Sequence, residues 1–387
     1  MSMTESTVKT SDVAVVSCPK YTPESARAAL SEALSAVDGL SCIKPGMKVV
    51  IKANLVSGKN PDTATTTHPV LISELVKMLL EKGACVTVGD SPGGLYNAAR
   101  LAAIYSATGM KMCEEAGAQL NRNFAQSDGK TKNGLVLHDF KYTSYLDDAD
   151  LIIDFAKLKT HGMMVMSCAV KNMFGVIPGV TKPEYHSRFP EIERFSDMLI
   201  DLYENFAPCL SIIDAVYGME GNGPTAGTPR YVGAVIASKN GHYADMAAAE
   251  IMGIDRRKLP LFCRANERGL CPNSLDELTV YGDLEKFRVK DYDLICDASS
   301  DFSLVVPKPL AWLSDKLLRP RPKLTPKKCV GCKICYDTCP KHAIEMVNGK
   351  PHFDYDKCIR CFCCQEFCPK GALHVHRSVA AKIINGK

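Results

Sequence analysis

Eight of the eighteen cysteines in this chain form two copies of one spacing pattern near the C-terminal end. The copies are Cys329, Cys332, Cys335 and Cys339 before Pro340, and Cys358, Cys361, Cys364 and Cys368 before Pro369. Cys358 follows Cys329 by 29 residues, so the pattern is an internal repeat. Each proline ends its cysteine loop and turns the chain away, because proline has a fixed φ and no N–H. The repeat predicts a segment that folds around metal.

This spacing resembles that of bacterial ferredoxins, in which three cysteines of a run bind one [4Fe-4S] cluster and the fourth binds the other. The resemblance implies two interleaved ligand sets, Cys329, Cys332, Cys335 and Cys368 for cluster one, and Cys358, Cys361, Cys364 and Cys339 for cluster two. Between the runs, Asn348-Gly349 separates two short apolar segments and predicts a β-hairpin. We expect residues 326–377 to form a dicluster ferredoxin module that needs its metal ligands to fold.

Zinc and disulfides are weaker alternatives for these cysteines. Zinc modules separate their CxxC pairs by a dozen or more residues and have no third cysteine two residues on. Disulfides need an oxidising compartment, whereas the starting sequence MSMTESTVKT has no apolar signal segment, so we expect a cytoplasmic protein. Cys363, next to Cys364, is interpreted as a packing residue, with an alternative role as a cluster ligand.

The composition is that of an ordinary soluble globular protein, with 387 residues, 46% hydrophobic and 23% charged. The formal net charge of +4 falls close to zero once each cluster with its thiolates contributes about −2. We therefore expect neither nucleic acid nor a membrane as partner. A basic stretch before the first cysteine run is interpreted as a solvated linker or, alternatively, as a docking patch for an acidic redox partner protein: Arg319, Arg321, Lys323, Lys327 and Lys328.

Upstream of the module, strand-like and helix-like patterns alternate along the chain. Short apolar runs predict strands at 13–17, 49–55, 85–89, 151–155, 210–213 and 232–237. Helix starts are predicted at Thr22-Pro23 and His68-Pro69. This order predicts an α/β domain with a mainly parallel sheet, followed by a small α+β module. The predicted limits are a disordered N-terminus at 1–11, the α/β domain at 12–300, a Pro-rich basic linker at 301–325 with a short helix at 310–318, the module at 326–377 and a tail at 378–387.

Lysines and a histidine directly follow the strand predicted at 151–155. In open α/β sheets, ligands bind where strands end. Lys157 and Lys159 point the same way if the strand continues, which places two cations together. With His161 as a proton carrier, they predict a catalytic site for an anionic small-molecule substrate. A solvated surface is the alternative.

Three more residues are assigned to the same catalytic site. Lys171 and Asn172 follow in the same segment, and Asp214 ends the strand predicted at 210–213. Asp214 is interpreted as an acid, a base or a metal ligand, with a helix cap or a turn hydrogen bond as the alternative.

The loop after the strand at 85–89 is a candidate cofactor-binding segment. Its residues Asp90, Ser91, Gly93 and Gly94 predict a backbone cradle for phosphate or carboxylate, with an ordinary turn as the alternative.

The residues discussed so far belong to stretches that resemble the domain-of-unknown-function 362 family. These are IKANLVSG (51–58), TTTHP (65–69), VTVGDSPGG (86–94), ADLIIDFAKLKTHGMMVMSCAVKNMFGVIPG (149–179), IIDAVYGMEGNGPTAGTPR (212–230) and ADMAAAEIMGID (244–255). Members of this family often carry a C-terminal dicluster module. The resemblance implies the fold and iron–sulfur binding, and it names no substrate.

Together these features predict an oxidoreductase whose ferredoxin module feeds single electrons to an anionic substrate in the α/β domain. The alternative is a non-catalytic electron carrier or adapter whose large domain docks a redox partner. The length of the large domain and its polar strand ends favour the enzyme.

Overall fold

The computed structural model describes residues 10–294 and 319–377. The helix predicted at 310–318, most of the predicted linker and the tail at 378–387 lie outside these residues, as do residues 1–9 of the predicted N-terminus. Those assignments, and the domain limits, stay predictions.

Six strands of the large domain match the predicted apolar runs, and the other five in the described residues were not predicted. Their bounds are β1 (Val13–Ser17), β2 (Lys48–Ala53), β3 (Cys85–Gly89), β4 (Gln119–Leu120), β5 (Gln126–Lys130), β6 (Asp139–Thr143), β7 (Leu151–His161), β8 (Val165–Ser167), β9 (Leu210–Glu220), β10 (Thr228–Ser238) and β11 (Val280–Tyr281). Within the described residues, nine of them form one sheet in the order β11-β1-β10-β9-β7-β2-β3-β4, with β8 on β7. The run from β9 to β4 is parallel, which confirms the predicted α/β class.

Helices cover both faces of this sheet. Their bounds are α1 (Pro23–Ala36), α2 (Pro69–Glu81), α3 (Ala98–Ala107), α4 (Lys111–Glu115), α5 (Ala169–Asn172), α6 (Lys182–Arg188), α7 (Ile192–Phe206), α8 (Gly241–Ile251) and α9 (Pro260–Glu267). The helices α1, α2 and α3 pack on one face, and α7 and α8 pack on the other. Strands that are buried on both faces have nearly continuous apolar sequences, which is why the sequence pattern predicted these strands.

Two helix starts form as their sequences predict. Thr22 caps α1 by accepting a hydrogen bond from the Ser25 N–H, and proline follows at the first helical position. The His68 ring caps α2 in the same way, by accepting a hydrogen bond from the Val70 N–H at 3.3 Å.

Two strands extend beyond their predicted ends. The strand β7 continues from Phe155 to His161, and β9 continues from Ile213 to Glu220. Charged residues interrupt both apolar runs, so the pattern alone ended these strands too early. The extension buries Lys157, Lys159 and His161 inside the protein.

The C-terminal module contains two strand pairs and two short helices: β12 (Arg321–Leu324), α10 (Ile334–Asp337), β13 (Ile344–Val347), β14 (Lys350–Phe353), α11 (Cys363–Glu366) and β15 (Leu373–His376). The strands β13 and β14 form the predicted hairpin, and its turn residues Asn348 and Gly349 have φ of 48° and 72°. The strand β12 lies inside the predicted linker and pairs with β15.

Candidate functional site

Two cavities in the module are each lined by four cysteines from the two runs. One cavity is lined by Cys329, Cys332, Cys335 and Cys368. The other is lined by Cys339, Cys358, Cys361 and Cys364, with Cys363 beside them. This interleaving follows the ligand sets that the ferredoxin resemblance implies, and thiolates are the ligands that iron–sulfur clusters require. The residues present therefore fit two [4Fe-4S] clusters of similar size.

The backbone of the two cysteine loops repeats along with their sequence. Gly331 and Lys333 have φ of 70° and 62°, and their counterparts Arg360 and Phe362 have φ of 58° and 60°. Left-handed residues between successive cysteines wrap each loop tightly around its cavity. Three of these four residues have a side chain, so the curvature does not depend on glycine alone.

The two cluster sites differ in their exposure to solvent. At the site of cluster one, Cys332 is exposed, as are Val330 and Tyr336 nearby. At the site of cluster two, Cys361 and Cys364 are buried. The site of cluster two is therefore the more buried of the two.

The module docks on the large domain through α11. The Gln365 side-chain amide donates hydrogen bonds to the carbonyl oxygens of Asn222 and Gly223, both at 3.0 Å. The Thr225 hydroxyl donates to the backbone oxygen of Glu366 at 3.1 Å. These contacts bring α11 against the loop after β9, at the edge where the parallel strands end.

A glycine in the predicted cofactor loop also contacts the module. A Cβ on Gly93 would lie 2.7 Å from the Phe367 ring, so only glycine permits this approach. The loop after β3 therefore touches the module directly beside the ligand Cys368.

At the sheet edge, Lys157 and Asp214 belong to a closed polar cluster. The Lys157 Nζ lies 2.8 Å from Asp214 Oδ2 and 2.8 Å from the Tyr21 hydroxyl, which donates to Asp214 Oδ1 at 2.9 Å. The Tyr21 ring stacks on His68 with centroids 3.6 Å apart. Burial lowers the pKa of Lys157, while Asp214 opposes that shift. Lys157, Asp214 and Tyr21 therefore satisfy one another's hydrogen bonds.

A second network links Asp90 to Lys159 through buried amides. The Lys52 Nζ lies 2.8 Å from Asp90 Oδ1 and donates to Asn172 Oδ1 at 2.9 Å. The Asn54 amide donates to the same Asn172 oxygen at 2.8 Å, and Asn54 Oδ1 accepts from Lys159 at 2.7 Å. Asp90 neutralises Lys52, whereas Lys159 has only neutral acceptors.

Two more lysines lie over the Phe174 ring. The ammonium groups of Lys171 and Lys182 lie 5.7 Å and 5.8 Å from its centroid. Lys182 donates to the Ser91 carbonyl at 2.7 Å, but within the described residues no oxygen accepts a hydrogen bond from Lys171. Burial lowers the pKa of Lys171, and it lowers those of Lys159 and Lys182 to about 7. Lys159, Lys171 and Lys182 form a cationic site. No carboxylate of the large domain, within the described residues, is paired with any of the three.

The module supplies a carboxylate to this cationic site. Glu366 Oε1 lies 2.7 Å from His161 Nε2. The other ring nitrogen, His161 Nδ1, accepts hydrogen bonds from the N–H groups of Met163 and Met164, both at 3.1 Å, so the neutral ring carries its proton on Nε2. That N–H does not point directly at the Glu366 oxygen, so the two atoms are close without a well-aligned hydrogen bond.

Electrostatics keep His161 neutral and Glu366 ionised. Burial and the nearby Lys171 lower the pKa of His161 to about 4. Burial alone would raise the pKa of Glu366, but His161 and Lys171 outweigh it and hold that pKa below its usual value. Burial lowers the pKa of His186 to about 3, and its Nδ1 has no hydrogen-bond partner in the described part of the chain.

Comparison with known proteins identifies both parts of the chain. The family described as domain of unknown function (DUF362) matches residues 49–250, and a 4Fe-4S dicluster domain matches residues 321–369. This chain belongs to the DUF362 family. The dicluster domain gives this DUF362 protein two [4Fe-4S] clusters, so the predicted cofactors are confirmed.

A curated relative covers most of this DUF362 protein. It is the thylakoid-associated protein sll1697 of Synechocystis sp., 30% identical over 273 residues, which are 68% of this chain and 81% of the relative. Within residues 10–294 and 319–377, no helix has the length and apolar character needed to cross a bilayer.

Two solved structures are similar to part of this chain. One is a Thermotoga maritima structural-genomics protein, with TM-score 0.37, 15% identity and 66% of this chain covered. The other is the lactate racemase apoprotein of Thermoanaerobacterium thermosaccharolyticum, with TM-score 0.40, 12% identity and 65% covered. The DUF362 chain spans 59% of the length of each.

The structure brings four of the predicted catalytic residues of this DUF362 protein together: Lys159, His161, Lys171 and Asn172. Lys157 and Asp214 lie in the neighbouring closed cluster. Their catalytic roles stay predictions.

The predicted cofactor-binding residues have other contacts. The oxygens of Asp90 bind Lys52 and the N–H groups of Leu55 and Ser91. Gly93 contacts the module, and Gly94 has a φ of 91°. The phosphate or carboxylate cradle stays a prediction.

Sequence reasoning did not assign five residues to this site: Lys52, Asn54, Lys182, His186 and Glu366. Lys52 carried a usable signal, since it ends an apolar strand as Lys157 does. Lys182 and His186 lie on α6, which gives no local sign of facing the sheet edge.

Proposed function

We propose that this DUF362 protein is an oxidoreductase in which the ferredoxin module delivers electrons to an anionic small molecule held at the domain interface. One observation carries the proposal, namely that Glu366, two residues from the cluster-two ligand Cys364, lies 2.7 Å from His161 in the large domain. The cationic site and the buried cluster therefore share one interface.

The burial of the lysines supports a binding role. An ammonium group is rarely buried unless it is paired, because desolvation of an unpaired charge is costly. Lys171 is only 8% exposed and Lys159 only 1%, and neither is paired with a carboxylate of the large domain. Groups whose pKa values are shifted by burial in a cleft are characteristic of functional sites. An anionic substrate would supply the missing countercharge.

The chain's own residues suggest a division of roles. Lys171 and Lys159 would bind the negative charge of the substrate, and the proton on His161 Nε2 is placed for donation to it. Asn172 and Asn54 hold Lys52 and Lys159 in position through their side-chain amides. The clusters supply single electrons.

The exposed side of the module is suited to a redox partner protein. Val330 and Tyr336 are exposed beside cluster one, and Lys327, Lys328 and Lys333 surround them. An acidic electron donor would match this basic surface. We also propose a cytoplasmic location, which cell fractionation tests. Recovery of the protein with membranes would contradict it, and the name of the Synechocystis relative is the reason to look for that result.

The proposal is tested by reducing anaerobically purified protein with dithionite and adding a mixture of small-molecule metabolites. Re-oxidation of the clusters, followed by absorbance, with one compound consumed in mass spectra is the expected result. Lys171→Met should slow re-oxidation at least 100-fold, while Lys141→Met, at an exposed lysine, should not slow it.

The adapter alternative gives a different result in the same experiment. It predicts that no small molecule re-oxidises the clusters and that a redox protein forms a stable complex with the chain. Re-oxidation at the wild-type rate in Lys171→Met would reject the site assignment.

A further inference from the structure

We propose that the Glu366 carboxylate occupies the position of a substrate carboxylate, so that the anionic substrate is a carboxylic acid. This inference rests on the proposed function and names its substrate class. In the docked arrangement Glu366 fills the subsite, and a substrate would bind there when this side chain withdraws.

The surroundings of Glu366 are those of a carboxylate-binding pocket. Its Oε1 lies 2.7 Å from the His161 ring nitrogen that carries the proton. Lys171 and His186 are close enough to interact with it electrostatically. All three belong to the large domain, and all three are buried in the docked arrangement.

Glu366 uses the donors of this pocket incompletely. His161 Nε2 and Glu366 Oε1 have no aligned hydrogen bond between them, and neither atom has another partner in the described residues. Lys171 also lacks an oxygen acceptor there, and His186 Nδ1 is unpartnered. A buried donor without an acceptor is unfavourable. A freely oriented carboxylate would satisfy donors that a side chain fixed to α11 does not reach.

Docking of the module does not depend on the Glu366 side chain. The backbone oxygen of Glu366 accepts from Thr225, and the Gln365 amide binds Asn222 and Gly223. These bonds hold α11 in place without using the Glu366 carboxylate, so displacement of the carboxylate leaves them intact.

The number of donors left without an acceptor favours a single carboxylate over a dianion. Asp90 already neutralises Lys52, and Asp214 neutralises Lys157. Lys159 and Lys182 are held by neutral oxygens, which leaves Lys171 as the ammonium nearest the pocket without an acceptor. One ammonium and a neutral imidazole N–H match one carboxylate.

The test measures binding of acetate by anaerobic isothermal titration calorimetry, without electron transfer. Glu366→Ala should bind acetate saturably, one per chain and at least tenfold more tightly than wild type, because the pocket is vacated. Glu345→Ala, at an exposed glutamate of the same module, should match wild type. Adding Lys171→Met to Glu366→Ala should remove the gained binding.

Iron content and thermal unfolding of each variant report whether the module has assembled. If Glu366→Ala does not assemble, Glu366→Gln keeps the side-chain volume and should bind acetate at least threefold more tightly than wild type, because an amide competes less for Lys171. Affinity equal to wild type in the assembled variant overturns the proposal. Tighter binding of inorganic phosphate than of acetate overturns the carboxylate class.

The subsite proposal and the oxidoreductase proposal can fail independently of each other. If Glu366→Ala gains an acetate site but no compound re-oxidises the reduced clusters, the subsite proposal stands and the oxidoreductase proposal is rejected. Re-oxidation by a compound without a carboxylate would keep the oxidoreductase and reject the subsite.

Discussion

The Lys157 ammonium lies 2.8 Å from the Asp214 carboxylate, and neither side chain is exposed. The pair joins β7 to β9, and the second carboxylate oxygen accepts a hydrogen bond from Tyr21. A buried ion pair of this kind specifies the arrangement of its surroundings, because either partner alone would be an unpaired buried charge.

Asp214→Asn should therefore destabilise the large domain without removing the clusters. Breaking a buried pair from one side costs about 3–5 kcal/mol, which lowers the midpoint of thermal unfolding by roughly 10 °C in a domain of this size. Anaerobic circular dichroism measures this midpoint. Asp128→Asn, which removes an exposed pair with Lys141, should change it little. Equal midpoints for the two variants would contradict this role of Asp214.

Cys339→Ala should disrupt cluster two although Cys339 belongs to the first cysteine run. The reason is that Cys339 lines the cavity of Cys358, Cys361 and Cys364. Iron content should fall from about eight toward about four atoms per chain, and the magnetic coupling between reduced clusters should vanish from electron paramagnetic resonance spectra. Cys363→Ala should keep both clusters. Loss of iron in Cys363→Ala would instead identify Cys363 as a ligand.

Lys159 should lose its proton near neutral pH. Burial lowers its pKa to about 7, so the side chain is charged below that pH and neutral above it. Nuclear magnetic resonance of protein labelled with ¹³C at lysine Cε should show a resonance that titrates near pH 7 and disappears in Lys159→Met. If every lysine resonance titrates only near the ordinary lysine pKa of about 10.4, this prediction for Lys159 is contradicted.

The same pKa has a consequence for stability. Between pH 7 and the ordinary lysine pKa of about 10.4, the unfolded chain holds a proton that folded Lys159 has released. Stability rises with pH wherever the unfolded state binds more protons. The unfolding midpoint of wild type should therefore rise relative to that of Lys159→Met as the pH is raised from 7 to 9.

Asn222→Ala should loosen the module from the large domain. Asn222 Nδ2 donates to the Leu373 carbonyl at 3.0 Å, and its Oδ1 accepts from the Val375 N–H at 3.4 Å. Amide hydrogen exchange should accelerate in α11 and β15, with iron content unchanged. Asn133→Ala, at an exposed position, is the matched control. Unchanged exchange in Asn222→Ala would show that other contacts hold the module.

Local patterns in the sequence predicted much of this architecture. The resemblance of the cysteine spacing to ferredoxins implied that Cys339 pairs with the second run, and Pro23 and Pro69 marked the starts of α1 and α2. Such signals depend on neighbours a few residues apart, and the structure keeps those neighbours together.

The composite site depends on contacts between distant parts of the chain. Glu366 and His161 are 205 residues apart and meet only where the module docks. A glutamate in a short helix between two cluster ligands has no pattern that distinguishes it from a solvated residue. For the same reason, sequence grouped Lys157 with Lys171, whereas Asp214 holds Lys157 in a separate cluster.

The two cluster sites differ in solvent exposure, and this difference determines which cluster oxygen attacks first. Cys332 is exposed at cluster one, while Cys361 and Cys364 are buried at cluster two. Oxygen would reach the outer cofactor first and halt the supply of reducing equivalents before it damages the inner one.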